Sequence, residues 1–164
     1  MRLRRPLLLA AAIVPLALTT GCSKAPATSA DSGQTQRHHL HPPHGGTPVV
    51  LGDDEYHVEL LLDQATGALQ VYVFDDELEN FVRSSAPSIV IAAEVNGAHR
   101  ELVLAAAPNP ETGETVGDTS LFEGQANWLR NVAQFDGVLK SITIRGSTYT
   151  DVKFSFPKGN DPDE

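Results

Sequence analysis

From residue 47 onward, apolar and polar side chains alternate with a period of two over short stretches, the pattern of strands that bury one face. "YHVELLL" (56 to 62) and "ALQVYVF" (68 to 74) flank Asp63-Gln64-Ala65-Thr66-Gly67, whose Asp and Gly supply turn chemistry. Pairing Asp63 with Ala68 sets Leu62 opposite Leu69, Leu60 opposite Val71 and Val58 opposite Val73, a wholly apolar face. The other face carries Leu61 with Gln70, Glu59 with Tyr72, and His57 with Phe74. A slip of one residue would mix the two sets, so burial fixes the register.

The second hairpin joins "SIVIAAEV" (88 to 95) to "AHRELVLA" (98 to 105) through Asn96-Gly97, a pair that tolerates positive φ at both turn positions. Closing on Val95 and Ala98 pairs Ile91 with Leu102 and Ile89 with Leu104, and sets His99 against Glu94 on the outer face as a cross-strand ion pair. The third joins "VLKSITIR" (138 to 145) to "YTDVKFSF" (149 to 156). Strict alternation favours a three-residue loop, Gly146 to Thr148, with Ile142 opposite Val152 and Val138 opposite Phe156. Edge strands are expected near Thr47 to Leu51 and Ser120 to Glu123, and a helical turn around Asn127 to Val132 would lay Trp128 and Leu129 over the end of the core. There is no long amphipathic helix and no internal repeat. The fold class is all-β: a single β-sandwich or flattened barrel of antiparallel hairpins, spanning residues 44 to 157.

What precedes this domain is of another kind. Arg2, Arg4 and Arg5 followed by an apolar run from Leu7 to Leu18 read as an export signal over residues 1 to 21. The run is about 12 residues, too short for a hydrocarbon core that needs about 20. It ends Leu18-Thr19-Thr20-Gly21-Cys22, which resembles the lipobox of bacterial lipoproteins, with Thr19 where an aliphatic residue is usual. The resemblance implies that Cys22 is lipidated and becomes the mature N-terminus, held stably by more than one acyl chain. It also accounts for a chain with one cysteine in an oxidising compartment. The expected address is the cell envelope, facing the periplasm, with the outer membrane favoured over the inner.

Residues 22 to 43 form a tether, disordered by composition: "SKAPATSADSGQTQR" offers no large apolar side chain to offset the entropy of ordering. Its roughly 20 residues would span on the order of 25 Å as a flexible coil. Residues 158 to 164 are expected to be an acidic disordered tail. Without residues 1 to 21, nine Lys and Arg face 21 Asp and Glu, a net charge of −12 that excludes nucleic acid as a partner.

The tether ends in "HHLHPPHGG", which holds His38, His39, His41 and His44 within seven residues. Imidazole is the commonest protein ligand for zinc, copper and nickel. Around Pro42 and Pro43 a polyproline helix would set His41 and His44 on one side, roughly 9 Å apart. A tight site needs further donors from the domain, and His57 and Glu59 are the candidates, with Asp53 and Asp54 in the turn before them. His44, His57, Glu59 and His41 are therefore the expected metal ligands, and His38 and His39 the weaker ones. The bland readings stand beside this: a solvated tether end, and for His57 a half-exposed strand residue. With the only methionine at position 1 and the only cysteine in the lipobox, a soft Cu(I) site is excluded and Zn(II) or Cu(II) is the expected ion. No nucleophile elbow, phosphate loop or His-Glu-x-x-His helix occurs, so no enzyme is expected.

"HPPHGGTPVVLGDDEYHVELLLDQATGALQVYVFDDE", with the later Phe-Glu-Gly and "ITIRGSTY", resembles an uncharacterised family of small bacterial lipoproteins of planctomycete type. His44, Gly45, Gly46, His57 and Glu59 carry the pattern, over about a quarter of the chain. Its His-Gly-Gly segment is distantly similar to the His-rich ends of heavy-metal efflux adaptor proteins, which implies metal handling and an envelope partner such as an efflux component. Two functions stay open: a periplasmic metal-binding lipoprotein, and a non-catalytic envelope interaction or structural module held to the membrane by its N-terminal lipid.

Overall fold

Inward-pointing Val58, Leu60, Leu69, Val71 and Val73 are all at most 1% exposed, as the first hairpin's register demands. In the computed structural model, which describes residues 41–161, this hairpin belongs to eight antiparallel strands that form one nearly closed, barrel-like sheet. The strands are β1 (Thr47–Leu51), β2 (Tyr56–Asp63), β3 (Ala68–Asp75), β4 (Ser88–Val95), β5 (Ala98–Ala107), β6 (Leu121–Gln125), β7 (Phe135–Ile144) and β8 (Ser147–Phe156). Their spatial order is β1-β2-β3-β6-β5-β4-β7-β8. The export signal, Cys22, the tether, His38 and His39 lie outside the described residues.

The first two hairpins pair as the alternation requires, from Asp63 with Ala68 to His57 with Phe74, and from Val95 with Ala98 to Ile89 with Leu104. A single 3-10 turn at Asn127–Leu129 buries Leu129 completely and packs Trp128 against the barrel core. The third hairpin differs from expectation. Its loop has two residues, Arg145 (φ 48) and Gly146 (φ 94), and Ile142 faces Tyr149 rather than Val152, with Val138 opposite Lys153 rather than Phe156. The cause is a break in alternation within both strands at one level. β7 buries Phe135, Gly137 and Leu139 and then, past exposed Lys140 and Ser141, Ile142 and Ile144. β8 changes phase at the same height, where Asp151 takes φ 51 and its carboxylate meets Lys140. Two compensating kinks keep the register while exchanging the faces.

The chain beyond β8 closes the seam between β8 and β1. Residues 158 to 160, assigned by the sequence to an acidic tail, lie along that edge. Ser155 and Gly159 exchange backbone hydrogen bonds, and Asn160 then takes the place of a neighbouring strand: its Oδ1 accepts from the Val50 N–H at 2.7 Å, while its Nδ2 donates to the Val50 carbonyl at 3.1 Å. Gly159 sits at φ 86, and a Cβ there would stand 2.1 Å from the Pro48 carbonyl oxygen, so only glycine lets the segment lie this close. An edge with open N–H and C=O groups is thereby capped.

Asn160→Ala should lower stability by about 1–2 kcal/mol, the cost of two lost hydrogen bonds at a half-covered edge. Gly159→Val should lower it further through the backbone clash. Urea denaturation of both variants checks this, and an unchanged midpoint for Asn160→Ala would count against the seam's contribution.

Candidate functional site

Because Val58 and Leu60 point into the barrel, His57 and Glu59 between and beside them must point out. That face does not meet solvent: both side chains are 0% exposed. Tyr72, Phe74, Leu78, Ala107 and Leu121 form a second apolar cluster here, against which Leu61 and Phe81 pack. Two loops, residues 76–87 after β3 and 108–120 after β5, carry much of the cover. Asp75 anchors the first, accepting from the Glu79 and Asn80 backbone N–H groups and the Asn80 amide. Burial works against its ionised form, yet these bonds hold its carboxyl below the usual range.

An ionised carboxylate cut off from water needs several donors, and Glu59 takes them from the His-Gly-Gly segment. Its Oε1 accepts from the backbone N–H of His44 at 3.0 Å and of Gly46 at 2.7 Å, and its Oε2 lies 2.6 Å from His44 Nδ1. Gly46 permits this, since a Cβ there would be 2.6 Å from the Leu60 carbonyl oxygen and 2.9 Å from Glu59 Cγ. The other ring nitrogen, Nε2, lies 2.8 Å from Glu111 Oε1 in the second loop. The ring stacks on Tyr72 with centroids 4.3 Å apart and tilts against Phe74 and Phe81.

With a carboxylate at each nitrogen, His44 has the surroundings of an imidazolium that donates twice, over an aromatic face that favours a cation. Burial lowers its pKa, but the bonds and charges of Glu59 and Glu111 outweigh burial and hold it above the ordinary 6.5. Burial, with the charges of Glu111, Glu123 and Glu59, raises the Tyr72 phenol. Such a histidine has no lone pair left for a metal or for general-base work. Distance agrees: donors sharing a tetrahedral zinc stand about 3.3 Å apart, whereas 2.6 Å is a hydrogen-bond distance.

The expected ligands therefore separate. His44 meets Glu59 but not His57, whose Nδ1 faces the Asp75 carbonyl oxygen at 3.2 Å and whose Nε2 is 3.1 Å from Asp54 Oδ1. His41 is exposed at the start of the described residues. Among the described residues no group of three His, Cys, Asp or Glu side chains is placed to hold a metal ion. His99 pairs with Glu94 across the second hairpin in backbone register. Sequence reasoning missed Glu111, 67 residues from His44, because nothing local marks a loop acid as the partner of a distant histidine. It also missed Glu114, whose buried carboxylate accepts from the Ser120 N–H and hydroxyl and from Arg83.

A pKa raised in the folded state means that the His44 contribution is complete below 6.5 and is lost as pH climbs through the folded value. His44→Gln should therefore destabilise the protein most near pH 6 and progressively less toward about pH 9, measured by urea unfolding across that range. A constant difference at all pH values would rule out the paired imidazolium. Glu59→Ala, which strands two backbone N–H groups and the ring, should cost about 3–5 kcal/mol. No family model matches this chain, and neither a curated protein nor a solved structure does.

Proposed function

We propose that this protein is a non-catalytic envelope module, anchored through lipid on Cys22, that presents the loop after β5 to a protein partner. The observation that carries the reading is Val116: it is 63% exposed at the tip of a loop that is otherwise tied down on every side. Thr115 and Asp118 close the tip through an N–H···O bond of 3.0 Å, with Val116 and Gly117 (φ 93) between them. Below it, Glu114 holds Ser120 and Arg83, and Arg83 also reaches Asp118 at 2.8 Å. Asn109, fully buried, donates to Ser120 Oγ, and Thr119 exchanges backbone bonds with Ser84.

A surface loop usually pays for its mobility when it binds. This one is ordered before any partner arrives, so an apolar tip can enter a pocket with little entropy left to lose. The acidic surface would select a basic rim around that pocket. His44, the most conspicuous chemical group, serves the same end, since its bond to Glu111 ties the loop to the barrel. Metal capture by His44, His57 and Glu59 together is not the reading we favour, because Glu59 is already spent on His44 and Gly46. No helix among the described residues is long and apolar enough to cross a membrane.

A photo-crosslinking residue at position 116 of the intact, membrane-attached protein should yield one discrete protein adduct, and one at Val103, also exposed, should not. Excess wild-type protein should suppress the adduct and excess Val116→Glu protein should not. Stability should stay within about 0.5 kcal/mol in Val116→Glu, as for other exposed sites. No adduct at 116, or equal competition by both proteins, would overturn the reading.

A further inference from the structure

His57 is the buried titratable group that the braced loop does not use. Its ring is 0% exposed at the head of β2, beneath the turn of residues 52–55. Nδ1 faces the Asp75 carbonyl oxygen, which can only accept, so the proton belongs on Nδ1. A neutral ring fixed in that tautomer presents the lone pair of Nε2. Nε2 has no hydrogen-bond partner although it is fully buried, and Asp54 Oδ1 stands 3.1 Å from it. A lone pair and a carboxylate oxygen at that distance repel unless something positive lies between them.

From this arrangement we propose that His57 Nε2 and Asp54 Oδ1 are the two protein ligands of a divalent transition-metal site, suited to Zn(II). The separation fits a shared ion. Ligand atoms about 2.0–2.1 Å from a zinc ion stand roughly 3.0 Å apart at a right angle and 3.3 Å apart in a tetrahedron, and the 3.1 Å here lies between the two. The Nδ1–H bond to a backbone carbonyl supplies the outer-shell contact that ligating histidines normally make. Asp54 is 70% exposed, so an ion would reach the pair from the Asp54 side. It holds φ 66, a conformation that asparagine also accepts, which makes Asp54→Asn a variant that keeps the turn.

The test is a zinc titration of the intact protein in a background where His38, His39 and His41 are Ala, read by calorimetry and by nitrogen NMR of the imidazoles. One equivalent should bind saturably, moving the His57 Nε2 resonance while Nδ1 keeps its proton and the His44 signals stay in place. Asp54→Asn should weaken binding by about tenfold or more, and His57→Gln should abolish it. The proposal is overturned by no saturable uptake below ~100 µM zinc, by uptake that Asp54→Asn leaves unchanged, or by a zinc response at His44 or His99 instead of His57.

Discussion

A single carboxylate, that of Glu59, organises the outer face of the barrel. It stands on β2 where no solvent reaches, and burying it unpaired would cost more than the fold could spare. Three donors from one short segment relieve that cost: two backbone N–H groups and an imidazolium. The requirement runs outward from there. His44 must lie flat on Tyr72 to reach Glu59, its far nitrogen then needs an acceptor, and Glu111 brings the second loop down over the aromatic cluster. The first loop joins through Arg83, Glu114 and Ser84.

The sheet thus has a core on each side, built by different means. Inside the barrel, mostly aliphatic side chains pack with a few aromatic rings, among them Phe122, Phe135 and Phe154. Outside, between β2, β3 and the loops, aromatic rings share space with buried polar groups whose bonds are nearly all made. Such networks tolerate little rearrangement, because any freed member is left desolvated. That rigidity lets an exposed valine be held at a loop tip, and it is also why His57 Nε2, the one buried side-chain nitrogen or oxygen without a hydrogen bond among the described residues, stands out against its surroundings.

Legibility in the sequence followed locality. The two hairpins with regular alternation and short turns could be paired residue by residue, because a slip would turn a whole apolar set outward at about 1.5–3 kcal/mol per large side chain. The third could not. Its strands change phase together at Lys140–Ser141 and Asp151, and a rule of strict alternation has no means of anticipating two breaks that cancel. The His-Gly-Gly segment and Glu59 were legible as partners, but as metal ligands rather than as a hydrogen-bonded pair, since composition supplies donor types and not the distance between them.

The sequence by itself determined the all-β class, the inward and outward sets of two hairpins, and the turn residues that close them, because these depend on side chains within a few positions of one another. Only the tertiary structure decided the strand order, the Asn160 cap on the β1 edge, the burial of His57 and Glu59, and the pairing of His44 with Glu111. Each of those joins groups distant in the chain, or depends on which face a loop comes to cover. A polar residue on a strand is exposed or entombed according to what packs over it, and that information is held by the fold as a whole.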